Sequence, residues 1–194
     1  MRYAVIGTGW IAGSYIQGAA QTGRWELAAV YSRKKETGLA FGAKYGVSTV
    51  YTSLTELAAS DIPAVYIASP NAFHYEQSRM MLEAGKHVIC EKPITVTPEG
   101  YEELRELAAK KGLIYMEAIM MLHQPHLRSI EDALQKIGRI TSARLDFCQL
   151  SSKYPAYLRG ELPNIFNPQM ATGSLMDLGI YCVYPAVAWF GMPE

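Results

Sequence analysis

The sequence has little cysteine, no excess charge of either sign and no long uninterrupted apolar segment. Its three cysteines, Cys90, Cys148 and Cys182, form no Cys-x-x-Cys pair and have apolar neighbours in the sequence. This favours reduced structural thiols over a disulfide scaffold and predicts a cytoplasmic protein. Eighteen basic side chains balance eighteen acidic ones, so no net field favours nucleic acid or a membrane surface as a partner. This composition favours a small-molecule partner.

The longest apolar stretch, near Leu178 to Phe190, is interrupted by Pro185 and is too short to span a bilayer. The chain opens directly into the strand-like residues Tyr3 to Ile6, which predicts that no cleavable export signal is present. Of the 194 residues, 49% are hydrophobic and 19% are charged. These values are typical of a globular protein with a sizeable core, and the length fits one full domain and part of another.

A glycine-rich turn joins the first predicted strand to the first predicted helix. It has the pattern G-x-G-x-x-A, formed by Gly7, Thr8, Gly9, Trp10, Ile11 and Ala12. The first glycine permits the turn, the second lets a pyrophosphate approach the backbone, and the small third residue lets helix and strand pack closely. Because a helix N-terminus favours an anion, the motif predicts a dinucleotide site. A glycine turn without a ligand is the alternative.

The end of the second predicted strand, Glu26 to Tyr31, discriminates between the two nicotinamide cofactors. It is followed by Ser32, Arg33 and Lys34, where an NAD enzyme carries an acidic residue for the ribose 2′-hydroxyl. A hydroxyl and two cations suit a 2′-phosphate, which a guanidinium can bind with two hydrogen bonds. We therefore predict NADP(H) rather than NAD(H). Exposed charges that open the next helix are the alternative.

Two further predicted strands end in polar residues at the same edge of the sheet, where ligands of open α/β sheets collect. The residues that follow these strands are Ser69, Pro70, Asn71 and His74 in one case and Glu91 and Lys92 in the other. Asn71 is predicted both to cap a helix and to contact the cofactor, and for His74 a cofactor contact and a structural role are weighed equally. Lys92 is a candidate acid, with a solvated loop lysine as the alternative.

The alternation of strands and helices predicts an α/β fold with two domains. Residues 1–118 are predicted to form a complete six-stranded, doubly wound parallel sheet, the NADP-binding Rossmann domain. Residues 119–194 are predicted to form an incomplete α/β (α+β) substrate or oligomerisation domain. Its predicted elements are a helix near Leu127 to Lys136, a long strand from Arg139 to Leu150 and a closing helix from Ser174 to Phe190.

Residues 151–172 lack periodicity, and their aromatic content argues against disorder. Loops of this length are usually functional, so we predict a flap over the substrate site with Arg159 and Tyr154 as substrate contacts. His123 and His126 have no companion ligands at metal-binding spacing, and no metal site is predicted.

The closing helix carries a second catalytic candidate. Asp177 and Tyr181 are four residues apart and therefore share one helix face. Ser174 and Asp177 also resemble a capping box, which gives Asp177 a structural alternative. Pro185 has no N–H and frees the carbonyl of Tyr181, so we expect a kink that helps to aim the phenol. A core tyrosine is the alternative for Tyr181.

These segments together resemble the Gfo/Idh/MocA oxidoreductase family over nearly the whole chain. The motifs that carry the resemblance are Gly7 to Ala12, Ser69 to His74, Cys90 to Pro93 and Gly173 to Tyr181. Many members have histidine where this chain has Tyr181. Tyrosine there is similar to the branch that contains dimeric dihydrodiol dehydrogenase and glucose-fructose oxidoreductase, which use NADP.

The resemblance implies hydride transfer between a nicotinamide and a secondary alcohol or carbonyl of a sugar, polyol or dihydrodiol. Tyr181 would donate or accept the proton, the Lys92 ammonium would favour the ionised phenol, Asp177 would orient the pair and Glu91 would help to fix the lysine. A non-catalytic dinucleotide-binding regulatory or sensor protein is the alternative. It is disfavoured because a sensor needs neither Lys92 nor Tyr181.

The chain departs from the family pattern in two places. Ala171, Thr172 and Gly173 stand where close relatives often have a glycine run. Members are also usually longer and continue into an open sheet, so we expect part of the substrate wall and of the usual subunit interface to be absent. A homo-oligomer and an interaction module with an unfinished sheet both remain open.

Overall fold

The computed structural model describes residues 1–192 of the chain. These residues divide into two compact units, Met1–Ala118 and a second unit that begins at Ile119. Within the described residues, no helix is both long and apolar enough to cross a bilayer.

The first unit is built on one parallel sheet with helices on both faces. Its strands are β1 (Arg2–Ile6), β2 (Glu26–Tyr31), β3 (Val50–Tyr51), β4 (Ala64–Ile67), β5 (His87–Glu91) and β6 (Tyr115–Ala118). All neighbouring strands are parallel, and their order is β3-β2-β1-β4-β5-β6. This confirms the predicted six-stranded doubly wound sheet. The strand order reverses between β1 and β4, so the ligand crevice of such a fold lies beyond their carboxyl ends.

Five helices cover this sheet: α1 (Trp10–Gln21), α2 (Lys35–Ala43), α3 (Leu54–Ala59), α4 (His74–Glu83) and α5 (Pro98–Lys111). The central strand β4 is buried along its whole length, as expected of a parallel sheet covered on both faces. Alternate strand residues enter two separate cores, because successive side chains of a strand point to opposite faces. Tyr66 packs in the core that includes Ile16 of α1, whereas Ile67 packs in the core that includes Leu82 of α4 and Leu104 of α5.

The helix ends in the first unit follow local chemistry. Ser53 caps α3 by accepting the N–H of Glu56 at 3.3 Å. Thr97 caps α5 by accepting the N–H of Gly100 at 3.2 Å, and α5 ends at the left-handed Gly112. Because these helices begin and end at defined residues, the turns between helices and strands are short, and the strand ends return to one edge of the sheet.

The second unit is mainly helical in its described part. Its α-helices are α6 (Pro125–Leu134), α7 (Tyr154–Leu158) and α8 (Ile180–Phe190), and a π-helical turn, Leu175–Gly179, leads into α8. The predicted helices near 127–136 and 174–190 are therefore present, with shifted starts. The predicted flap is not wholly irregular, because it contains α7 and two 3₁₀ turns.

The predicted strand from Arg139 to Leu150 is wrong, because residues 139–150 form no strand. A strand exists only through hydrogen bonds to a neighbouring strand. Between residues 119 and 192 the chain contains no second strand that could be this partner. Two large apolar side chains of this segment are exposed, since Ile140 retains 37% and Phe147 retains 43% of its accessible surface. Cys148, predicted to have apolar surroundings, is exposed as well.

Candidate cofactor site and active site

The glycine turn between β1 and α1 has the geometry that a pyrophosphate site needs. Gly7 has a φ of +120°, and a Cβ at this position would lie 2.6 Å from the carbonyl oxygen of Ala68, which follows β4. Only glycine fits there. Gly9 has an extended backbone, and a Cβ on it would meet no atom outside the turn within 4 Å. The backbone at Gly9 is therefore open to a ligand.

The N-terminus of α1 adds a site for negative charge. No side chain caps this twelve-residue helix, and its first turn contains no acidic residue. The first N–H groups of a helix lack intrahelical partners and carry partial positive charge. Trp10 in this turn is 81% exposed, whereas Ala12 is fully buried against the sheet. The predicted motif thus combines an open turn, a close helix-strand contact and an uncapped helix end, and these features fit a pyrophosphate.

The segment after β2 offers cations at the adjacent strand end. Ser32 is nearly buried, and its hydroxyl accepts the N–H of Lys34 at 3.4 Å. Arg33 and Lys34 are exposed, and within residues 1–192 no carboxylate forms an ion pair with either of them. Two unneutralised cations beside a fixed hydroxyl fit a 2′-phosphate better than a 2′-hydroxyl.

The segment after β4 differs in part from the prediction. Asn71 is the first residue of a 3₁₀ turn, Asn71–Phe73, rather than the N-cap of α4, which begins at His74. The side chain of His74 has no exposed surface. Its Nε2 and Nδ1 atoms lie 2.8 Å from the carbonyl oxygens of Ser69 and Pro93, respectively. His74 therefore joins the loop after β4 to the loop after β5, and of its two predicted roles the structure supports the structural one.

The carboxylate before Lys92 is anchored from inside the sheet. Tyr66 of β4 donates its hydroxyl hydrogen bond to Oε1 of Glu91, and Oε2 of Glu91 accepts the N–H of Lys92 at 3.3 Å. The Tyr66 ring stacks on Tyr15 of α1 with ring centroids 3.6 Å apart. Burial raises the pKa of Tyr66 and raises the pKa of Tyr15 to about 12. Both phenols stay neutral at physiological pH, so Tyr66 remains a hydrogen-bond donor to Glu91.

A second carboxylate, Glu117 of β6, faces the same loop. Its Oε1 accepts the N–H of Ile94 at 2.8 Å. Burial raises the pKa of Glu117, and the charge of Glu91 raises it further. Burial also raises the pKa of Glu91, although the bond from Tyr66 opposes this shift. Neither Tyr66 nor Glu117 was predicted from the sequence. One sequence signal points to Glu117, which is a carboxylate at the carboxyl end of a strand next to β5.

In the second unit, the predicted pair Asp177 and Tyr181 lies at the junction of two helix types. Asp177 lies in the π-helical turn and donates its N–H at 2.9 Å to the carbonyl of Gly173, which precedes the turn, and Tyr181 belongs to the first turn of α8. Ser174 has helical dihedral angles and forms no side-chain cap, so the predicted capping box is wrong. The Tyr181 ring stacks on Phe147 with centroids 5.1 Å apart. Single π-helical turns are frequent at functional sites.

The two predicted substrate contacts lie in and after α7. Arg159 donates to Oε1 of Glu161 from Nε at 3.0 Å and from Nη2 at 2.8 Å, and this ion pair is exposed. Tyr154 packs with Tyr157 and Phe166, at centroid distances of 6.3 and 6.4 Å. Arg159 thus has a partner on its own loop, and Tyr154 belongs to an aromatic cluster. Their contact with a substrate stays a prediction.

Comparison with known proteins identifies the family. The model of the Gfo/Idh/MocA group, an oxidoreductase family with an NAD-binding Rossmann fold, matches residues 1–119. The chain belongs to this family. The resemblance found in the sequence is therefore confirmed, and this Gfo/Idh/MocA protein has the sheet order and the glycine turn expected of a Rossmann fold.

Relatives that are named for an enzyme activity match nearly the whole of this chain. It is 42% identical to the scyllo-inositol 2-dehydrogenase (NADP(+)) IolU of Bacillus subtilis (strain 168), across 100% of this chain and 60% of the relative. It is 28% identical to trans-1,2-dihydrobenzene-1,2-diol dehydrogenase of Mus musculus, across 94% of this chain and 54% of the relative. This family member thus spans little more than half the length of these relatives.

Among solved structures, the chain is similar to KijD10, a 3-ketoreductase from Actinomadura kijaniata in complex with NADP and TDP-benzene. The TM-score is 0.83 at 27% identity, and the match covers 98% of this chain and 57% of KijD10. The similarity extends beyond the Rossmann unit into the second unit of this Gfo/Idh/MocA protein.

Proposed function

We propose that this protein is an NADP-dependent oxidoreductase that acts on a secondary alcohol or carbonyl group of a sugar, polyol or dihydrodiol. One observation carries this proposal: at one edge of the sheet, the open glycine turn and uncapped helix α1 lie next to the unneutralised cations Arg33 and Lys34. The names of the relatives, which include NADP(+) dehydrogenases of an inositol and of D-xylose, support both the cofactor and the class of substrate.

Different residues of the first unit would bind different parts of the cofactor. The turn Gly7, Thr8, Gly9, Trp10 and Ile11 would hold the pyrophosphate, and Ser32, Arg33 and Lys34 would hold the 2′-phosphate. The segment Ser69, Pro70 and Asn71 would lie beside the nicotinamide half, since it follows β4 at the switch point of the sheet. When bound, the nicotinamide accepts or supplies the hydride, and the protein has to place the carbinol and move one proton.

The proton would be moved by Tyr181, which would exchange it with the substrate oxygen. Lys92 would hydrogen-bond the same oxygen and favour the ionised phenol, and Asp177 would orient these groups. Glu91 would fix the start of the lysine loop, a role supported by its bonds to Tyr66 and to the N–H of Lys92. Residues 119–194 would supply the substrate side of the protein, with Arg159 and Tyr154 as contacts.

A substrate panel tests the proposal directly. We expect the purified chain to reduce NADP⁺ in the presence of at least one of scyllo-inositol, D-xylose and the trans-dihydrodiol of benzene. The measurement is the increase in NADPH absorbance, with NADPH affinity determined in parallel by fluorescence. Tight NADPH binding without turnover of any sugar, polyol or dihydrodiol would contradict the enzyme proposal and favour the dinucleotide sensor.

The cofactor preference gives a second test. Replacing Arg33 by Ala should weaken NADPH binding about 10-fold, because a hydrogen bond to a charged group contributes about 1.5 kcal/mol. NADH affinity should change less than about twofold, since NADH has no 2′-phosphate. Lys44→Ala, which removes an exposed cation at the far end of α2, is the matched control. A wild-type protein that binds NADH more tightly than NADPH would overturn the assignment.

A further inference from the structure

The loop that carries Lys92 is held at three consecutive residues by side chains of three different elements. Glu91 of β5 accepts the N–H of Lys92 at 3.3 Å. His74 of α4 lies with Nδ1 2.8 Å from the carbonyl oxygen of Pro93. Glu117 of β6 accepts the N–H of Ile94 at 2.8 Å. We call Glu91, His74 and Glu117 the loop clamp.

The loop clamp satisfies the backbone hydrogen-bonding groups of a short loop with ionisable side chains. Backbone groups at a sheet edge are ordinarily satisfied by water or by other backbone. Here two carboxylates and an imidazole are partly or wholly buried for the purpose, and burial raises the pKa of both carboxyl groups. Burying charge is costly, so plain satisfaction of the loop is a weak explanation for this arrangement. Fixing the direction of a functional side chain is a stronger one.

The two outer members of the clamp reach different parts of the sheet edge. Glu117 bonds the loop at the N–H of Ile94. His74 bonds the loop at Pro93 and also lies with Nε2 2.8 Å from the carbonyl oxygen of Ser69, which follows β4. His74 therefore joins the lysine loop to the segment proposed to lie beside the nicotinamide.

We propose that Glu117 and His74 are positioning residues that aim the Lys92 amine, and that His74 in addition sets the distance between this amine and the cofactor segment. The inference rests on the proposed function, because it requires Lys92 to act on the substrate. A displacement of about 1 Å at a reacting group lowers turnover about 10²-fold, so loosening of the loop has a measurable consequence.

The first experiment compares Glu117→Leu with Glu117→Gln. Leucine removes the acceptor of the Ile94 N–H, whereas glutamine keeps an oxygen that can accept it. We expect Glu117→Leu to speed amide hydrogen exchange at Ile94 at least about 10-fold and to lower kcat about 10- to 100-fold, with NADPH Kd unchanged within about twofold. Glu117→Gln should retain most of the wild-type protection of the Ile94 amide and most of the wild-type kcat. Glu106→Leu, an exposed change in α5, should change neither the exchange rate nor kcat.

A double substitution separates positioning from general damage. In a Lys92→Met background the clamp has no amine to aim, so adding Glu117→Leu should not lower kcat further. An equal fold loss in both backgrounds, or faster exchange at Ile94 with unchanged kcat, would overturn the inference. Full turnover in Lys92→Met alone would instead overturn the role of Lys92 in the proposed function, and the exchange result at Ile94 would remain valid.

His74→Leu tests the second half of the inference. This variant frees the carbonyls of both Ser69 and Pro93 and should therefore weaken NADPH binding as well as lower kcat. The contrast with Glu117→Leu, which should change kcat alone, is the distinguishing result. An unchanged NADPH Kd in His74→Leu would overturn the link between the lysine loop and the cofactor segment.

Discussion

Replacing Lys92 by Met is expected to lower turnover about 10²- to 10⁴-fold, the usual contribution of a positioned acid or base. Methionine has nearly the same length and keeps the apolar stem, but it cannot donate a hydrogen bond or carry charge. Lys92 is half-buried at the carboxyl end of β5, so this substitution should leave the loop folded. The measurement is kcat with saturating NADP⁺ and the best substrate of the panel, together with the Kd for NADPH.

The control for Lys92→Met is Lys110→Met, which removes an exposed lysine of α5 paired only with Glu106. Exposed ion pairs contribute about 0–1 kcal/mol to stability, so this variant should retain wild-type turnover and NADPH affinity. If Lys92→Met kept more than about a tenth of wild-type kcat, Lys92 would not be the proton-transfer partner. A parallel loss of NADPH binding would show that Lys92 serves the cofactor rather than the reaction.

Lys86 shows why the position of a lysine on the strand decides its role. It precedes β5, whereas Lys92 follows it. Its ammonium donates to the carbonyls of Ser60 and Ile62, both at 2.7 Å, and burial lowers the pKa of this group. Lys86 therefore closes the end of α3 and lies at the edge of the sheet opposite the ligand crevice. Amino-acid composition does not distinguish the two lysines, but the direction of β5 places them at opposite edges of the sheet.

The parts of the fold that were predicted from sequence are those fixed by local chemistry. The turn at Gly7 requires a positive φ, and a helix without a cap follows it. Apolar segments with turn residues between them marked β1, β4 and β5, because buried parallel strands are apolar on both faces. The doubly wound parallel sheet then followed from the alternation of strands and helices, since right-handed crossovers leave few alternatives.

The features that were predicted wrongly or missed depend on partners far away in the sequence. Residues 139–150 alternate as a strand would, but alternation indicates only a half-buried surface and does not supply a neighbouring strand. His74 follows a helix-start pattern that gave no sign of its burial between two loops. Glu117 was missed, because its bond to Ile94 spans 23 residues of sequence. Contacts of this kind are visible only once the sheet brings strand ends together.

Replacing Tyr181 by Phe is expected to lower turnover about 10²- to 10⁴-fold, because this substitution removes the hydroxyl proposed to exchange the proton. The phenyl ring can keep the stacking on Phe147, at 5.1 Å between ring centroids, so stability and NADPH affinity should change little. Tyr184→Phe, which removes an exposed hydroxyl from the same helix α8, is the matched control. Tyr181→His should recover part of the lost turnover, since histidine exchanges protons near neutral pH. Equal kcat in Tyr181→Phe and Tyr184→Phe would exclude Tyr181 as the proton-transfer group.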